Sequence, residues 1–359
     1  MLLFFITFDA QNVIREERFY RIEVRRTKRI LNDEEGQAVS KRLYLETKLY
    51  NVNDRLASLE LCERIDDWIR QNDFADLGPC FLPYRDSNGE LEEHVEDEGQ
   101  EIFRLDIQAL RSCTGVVGYF DGVHYDSGCA FEVGCGYAWG YPIHLISTDF
   151  HKWSVGGSDR FYVASKLLEH LATLVYIPEG NASIADYRLQ QEDLKEQAMQ
   201  ELRKNLKLSF GEKTVLKDAL NALDVKYDYY LDPNFQYTES GRIVLKEIIS
   251  MIEKAGKTYI IGDNQGDITA DIDRLRESGH AIFFDDCFEP NVDSALMHGI
   301  AFGIGRPPIV YTSNLQRTEA GDRRDWLNIM IRYSADAIVE NLEELNVTIQ
   351  SHRTVNHNN

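Results

Sequence analysis

The run GVVGYFD at 115–121 decides the reading of this chain, because its apolar, β-prone stretch closing on an acid recurs 165 residues later as Ile282-Phe-Phe-Asp-Asp286. Upstream, Asp106-Ile-Gln-Ala-Leu-Arg111 is matched at the same spacing by Asp271-Ile-Asp-Arg-Leu-Arg276. Downstream, Gly134, Gly140 and Pro142 fall on Gly299, Gly305 and Pro307 without a gap. Earlier in each half stands an aromatic strand pattern, LYLETKLY at 43–50 and YYLDPNF at 229–235, where the offset drifts to about 185. A period this long signals duplicated domains rather than a solenoid.

Each half reads strand, helix, loop, helix, strand, helix, strand, helix, the alternation of an α/β domain built on a parallel sheet. The expected architecture is two tandem flavodoxin-like, doubly wound domains forming a pseudo-two-fold pair. The divisions expected are an N-terminal extension at 1–40, a first domain at 41–180, a helical linker at 181–225, a second domain at 226–350 and a tail at 351–359. The linker rests on QQEDLKEQAMQELRKNLKL at 190–208, rich in strong helix formers. The opening MLLFFITF is too short for a membrane span, lacks a basic flank and reads as a strand.

The composition, 43% hydrophobic and 28% charged, is that of a globular protein. A net charge of −21 argues against a nucleic-acid polymer as partner, since phosphate binding needs a basic face. Glu90, Glu92, Glu93, Glu96, Asp97, Glu98 and Glu101 read as a solvated acidic loop. The six cysteines form no CxxC pair and no zinc-spaced cluster, so reduced thiols, a cytoplasmic location and the absence of any metal or cofactor are expected.

The loop after 115–121 lies at the carboxyl edge of the sheet, where open α/β folds bind ligands. From Asp126 the chain continues SGCAFEVGCGYAWGYP to Pro142, a buried helix with Asp126 or Ser127 as cap. Glu132 is the one charged side chain between Asp126 and His144, and a buried carboxylate is costly unless paired or used. Its aligned position in the second half is Met297, so the fold does not need the charge. The plain alternative is a carboxylate facing a helix dipole. Gly128 and Gly134 permit close approach of backbone or ligand, or simply close helix packing.

The order of a Tyr-bearing first strand, an Asp-Ile-x-x-Leu helix, an apolar strand and then Asp-x-Gly-x-x-x-Glu-x-Gly resembles the nucleoside 2-deoxyribosyltransferases and their nucleoside-monophosphate N-glycosidase relatives. The resemblance implies Glu132 as nucleophile, Asp106 and Asp126 as base-handling carboxylates, and Tyr44 as the first-strand tyrosine, with Ser127 and Gly128 at the substrate. The usual Ala-Gly-Pro of that first strand is replaced by Glu46-Thr47-Lys48.

In that family an asparagine near the last helix, usually from a neighbouring subunit, reaches the sugar. The first half has no asparagine from His144 to Gly180, whereas Asn328 in Asp325-Trp-Leu-Asn-Ile-Met-Ile331 resembles the family's Asn-x-Met segment. Its aligned partner is Tyr162 or Val163. The complementary losses imply one composite site in a fused pseudo-dimer, with Asn291 in place of Asp126 and the second site decayed.

The expected activity is cleavage of a (deoxy)nucleoside through a sugar ester on Glu132, with Asp126 as first and Asp106 as second choice of proton donor. The sugar then passes to another nucleobase or to water. Expected partners are a nucleoside or nucleotide and a free nucleobase, with a homo-oligomer built on the pseudo-dimer possible and no membrane. Asp126 favours a free 5′-hydroxyl over a phosphate; a non-catalytic nucleotide sensor is the competing class.

Overall fold

The computed structural model describes residues 41–48, 51–71, 73–74, 76–87, 97–121, 125–148, 152–155, 158–161, 165–177, 183, 186–211, 218–263, 266–285, 291–313 and 327–352. The opening strand expectation, the extension at 1–40 and most of the tail lie outside these residues.

The first half runs β1 (Leu43–Glu46), α1 (Val52–Arg70), α2 (Pro83–Asp86), α3 (Glu98–Ser112), β2 (Gly115–Tyr119), α4 (Ser127–Ala138), β3 (Ile143–Ser147), the hairpin β4 (Lys152–Val155) and β5 (Ser158–Phe161), α5 (Lys166–Leu171), β6 (Thr173–Tyr176) and α6 (Tyr187–Phe210). The second runs β7 (Tyr227–Leu231), a 3-10 turn at Pro233–Gln236, α7 (Glu239–Lys254), β8 (Tyr259–Ile261), α8 (Ile268–Arg276), β9 (Ser278–Phe284), α9 (Val292–Gly303), β10 (Ile309–Tyr311), α10 (Ile329–Ser334), β11 (Ala337–Val339) and α11 (Leu342–Ser351).

Two parallel sheets result, β1-β2-β3-β6 and β11-β10-β9-β7-β8. Counted within its own half, the second has strand order 2-1-3-4-5, that of doubly wound flavodoxin-like folds. The first sheet has the same order once its edge is included: Phe81 bridges Tyr44 in parallel, with Leu45 N–H donating to the Phe81 carbonyl at 2.7 Å. The registers also agree, Tyr44 pairing with Val116 where Tyr230 pairs with Ala281. The α/β, doubly wound class read from the sequence is therefore observed. The strand-helix reading overlooked the edge strand β8 and the last strands β6 and β11, three or four residues each. So short a run carries too few alternations to register as a strand.

Helix α6, expected as a connector, is a layer of the first domain. Its Ala198, Met199, Leu202, Leu206 and Phe210 share a core with Leu43 and Leu45 of β1 and Leu61 and Ile65 of α1. Part of the acidic run is likewise not loop: Asp97 caps α3, and Glu98 and Glu101 lie in its first turn, where carboxylates favour the helix dipole.

The other face of each sheet turns inward onto one shared core. Tyr44, Phe131 and Val133 of the first half pack there with Tyr230, Leu296 and Met297 of the second. Helices α4 and α9 cross at its centre, and the crossing is reciprocal. A Cβ on Gly134 would lie 2.1 Å from the Leu296 carbonyl oxygen, and one on Gly299 would lie 2.0 Å from that of Phe131. Only glycine allows such backbone approach, which is why both helices carry it there. Both helices end on a glycine of φ +78°, Gly140 and Gly305, supplying the left-handed residue that closes the last turn.

Candidate functional site

Alternation along β1 sends Leu43 and Leu45 to the outer core, and Tyr44 and Glu46 to the face covered by α4. Helix α4 starts at the carboxyl edge of the sheet. Asp126 is its cap, accepting the Cys129 N–H at 2.9 Å through Oδ1, and Ser127 is its fully buried first residue. Glu132 follows facing β1, where the Tyr44 hydroxyl donates to its Oε1 at 2.6 Å.

This carboxyl group is 7% exposed, as is Asp106 of α3; Asp126 is 8% exposed, so three acids share one buried patch. Burial, then the charge of Asp106, push the Glu132 carboxyl well above its ordinary range, while the Tyr44 hydroxyl pulls the other way. Burial also lifts Asp106 to about 6, opposed by the Ser87 hydroxyl, which donates to its Oδ1 at 2.5 Å. Burial, Glu132 and Asp106 keep the Tyr44 phenol protonated far above its ordinary range, so Tyr44 is a donor at every working pH. Raised together in this way, the neighbouring Glu132 and Asp106 carboxyls disfavour the doubly charged state.

Among the described residues, the second half reaches this patch through Asn328. Asn328 caps α10, accepting the Met330 N–H at 2.9 Å, and its side chain lies over the start of α4. A Cβ on Gly128 would stand 2.9 Å from Asn328 Oδ1, 3.0 Å from its Nδ2 and 3.0 Å from Asp126 Oδ1. Gly128 thus leaves room for Asn328 beside Asp126. All seven residues singled out from the sequence, Tyr44, Asp106, Asp126, Ser127, Gly128, Glu132 and Asn328, therefore gather around α4.

The aligned partners Tyr162 and Val163 lie outside the described residues, and the place in the fold indicates a different counterpart for Asn328. Ser165 caps α5, the six-residue helix before the last strand of its half, as Asn328 caps α10. Its hydroxyl donates to Asp293, which stands where Gly128 stands in the first half. Where Gly128 admits Asn328 beside Asp126, the corresponding position of the second half carries the Asp293 side chain, bonded to Ser165.

Three further residues escaped the sequence reading: Ser87, Tyr125 and Glu46. Glu46 is fully buried, and the Tyr125 hydroxyl donates to its Oε2 at 2.7 Å. The departure of Glu46-Thr47-Lys48 from Ala-Gly-Pro was visible, but nothing in one sequence indicates that the acid points inward. A cleft of about 760 Å³ opens nearby, lined by Phe103, Arg104 and Arg111 of α3 with Phe302 and Tyr333 of the second half, but by none of the clustered acids. Among the described residues no group of three or more His, Cys, Asp or Glu is arranged to hold a metal ion, and no helix is long and apolar enough to cross a membrane.

Residues 50–204 match the family described as nucleoside 2-deoxyribosyltransferase. No curated protein matches the chain. Among solved structures, a ketoreductase domain from the bacillaene assembly line is similar at 11% identity and a TM-score of 0.16, over 82% of this chain and 87% of that one, too slight a likeness to carry an argument.

Proposed function

From the premise that residues 50–204 are a nucleoside 2-deoxyribosyltransferase domain, we propose that the protein cleaves the N-glycosidic bond of a (deoxy)nucleoside through a sugar ester on Glu132 and passes the sugar to another nucleobase. The observation that carries this reading is the Tyr44–Glu132 hydrogen bond of 2.6 Å inside a buried cluster of acids at the carboxyl edge of the sheet. Stability does not explain a carboxylate held there, since Met297 fills the twin position at 3% exposure.

In the ionised state Glu132 attacks C1′ as the C1′–N bond breaks, its electron pair leaving with the base. Tyr44 holds the attacking carboxylate in place and stabilises its charge. Asp106 and Asp126 are the base-handling carboxylates, and Asn328 reaches the sugar hydroxyls beside Gly128. Ser127 lies at the helix start next to the same edge. A second base then attacks the ester, releasing Glu132; the exclusion of water from a site in which no acid exceeds 8% exposure favours transfer over hydrolysis.

The matching strand orders, the matching registers and the reciprocal Gly134 and Gly299 contacts support a fused duplication that retains one composite site. The catalytic domain would be 41–180 extended by α6, the second domain 226–350. The experiment is direct: incubate the protein with a nucleoside panel, follow free base, and compare with Glu132→Ala. A sensor would bind without turnover, and Glu132→Ala would bind as well.

A further inference from the structure

The twin positions of Glu46 and Asp232 carry the same kind of group in two different settings. Asp232 follows β7 as Glu46 closes β1, and its carboxylate accepts from four donors. The Asn234 N–H and side-chain amide reach Oδ1 at 3.0 and 2.9 Å, and the Phe284 N–H (3.1 Å) and the Ser294 hydroxyl reach Oδ2. That is a carboxylate wired for a structural role. Around Glu46 the side-chain donors have changed: Cys129 stands where Ser294 stands, and Lys48 where Asn234 stands. Glu46 Oε2 accepts from Tyr125, while Oε1 is buried without a hydrogen-bond partner among the described residues.

An unsatisfied buried oxygen is costly, on the order of 1–3 kcal/mol, and calls for a partner that arrives in another state. We propose that Glu46 is the acid that gives its proton, through Oε1, to the departing nucleobase. The inference rests on the N-glycosidic reading above. Asp126, committed to the Cys129 N–H as the cap of α4, is then left to orient the base rather than to protonate it.

The step balances. The C1′–N electron pair goes to the base, the Glu46 proton goes to a base nitrogen, and C1′ bonds to Glu132. The incoming base returns its N–H proton to Glu46 as it displaces the ester. Burial lifts the Glu46 carboxyl to about 8, so the proton is present at neutrality. The groups that bear on it are Lys48 on its own strand end, Tyr125 and Asp126 before α4, and Cys129 and Glu132 within α4. Cys129, Tyr125 and Lys48 favour the ionised form, and Asp126 opposes it.

The test compares an ordinary purine 2′-deoxynucleoside with its N7-methylated form, whose base leaves without needing a proton. General acid catalysis contributes roughly 10²–10⁴-fold, so Glu46→Gln should slow release from the ordinary nucleoside at least about 100-fold and from the methylated one far less. Glu132→Gln should abolish both. Equal losses on both substrates, or no loss on the ordinary one, would overturn the role of Glu46 while leaving the N-glycosidic reading intact. No release of base from any member of the nucleoside panel by the unaltered protein would overturn both. Should Glu46→Gln fail to fold, Tyr125→Phe serves: removing a donor to the ionised form must move the alkaline fall in kcat, expected near pH 8, to higher pH. An unmoved limb contradicts the proposal.

Discussion

Asn328 of the second half lies against Gly128 of the first, so closely that a methyl group at 128 would stand 2.9 Å from its Oδ1. Asn328→Ala should therefore reduce kcat/KM by about 100-fold, the cost of misplacing a bound sugar, while stability falls only by the lost cap of α10, about 1 kcal/mol. Met297→Ala, at the position in α9 that Glu132 holds in α4, should do the reverse. It removes a buried side chain at a cost of about 2–5 kcal/mol, and activity per folded molecule should persist. Steady-state kinetics and thermal melts on both variants check this. Full activity in Asn328→Ala would refute the shared site.

Tyr44→Phe removes the hydroxyl that holds Glu132. A hydrogen bond to a charged group contributes about 1.5–3 kcal/mol, so kcat should fall roughly 10- to 100-fold. Because Tyr44 favours the ionised form of Glu132, its loss should also move the acid limb of the pH–rate profile upward. A profile that falls in height without shifting would assign Tyr44 a packing role only.

Gly134→Ala places a methyl group where the Leu296 carbonyl of the other half already lies. Overpacking costs typically 1–3 kcal/mol, and the crossing serves both halves, so a calorimetric melt should show one transition lowered as a whole. A selective loss of one half would mean that the halves unfold independently.

Stability should decline as the pH rises. Glu46 and Asp232 have folded-state values raised to about 8 and about 6, and Asp106 also to about 6. For acids so raised, the folded state binds protons more tightly than the unfolded chain. Their contribution is complete below the unfolded value near 4 and is lost as pH passes through the raised ones. The melting temperature should therefore be lower at pH 9 than at pH 6, and Glu46→Gln should shrink that difference. An unchanged difference in Glu46→Gln would contradict the assignment.

The doubly wound class was legible in the sequence because helix-period and β-prone runs alternate through each half, with a constant offset through Gly134 and Gly299. Glu132 stood out for the same reason: an acid in an apolar helix whose twin is Met297. What escaped were contacts made through space. Ser165 as counterpart of Asn328 depends on two helix caps, not on aligned letters. The inward turn of Glu46 depends on strand register, and the docking of α6 depends on a narrow apolar stripe in a polar helix.

The most direct measurement is the intact mass of the protein, quenched during turnover of a 2-fluoro-2-deoxy nucleoside, followed by peptide mapping. The account predicts a gain of one sugar residue on the peptide that holds Glu132, absent in Glu132→Ala. Free base released without any adduct, and at the same rate by Glu132→Ala, would contradict it.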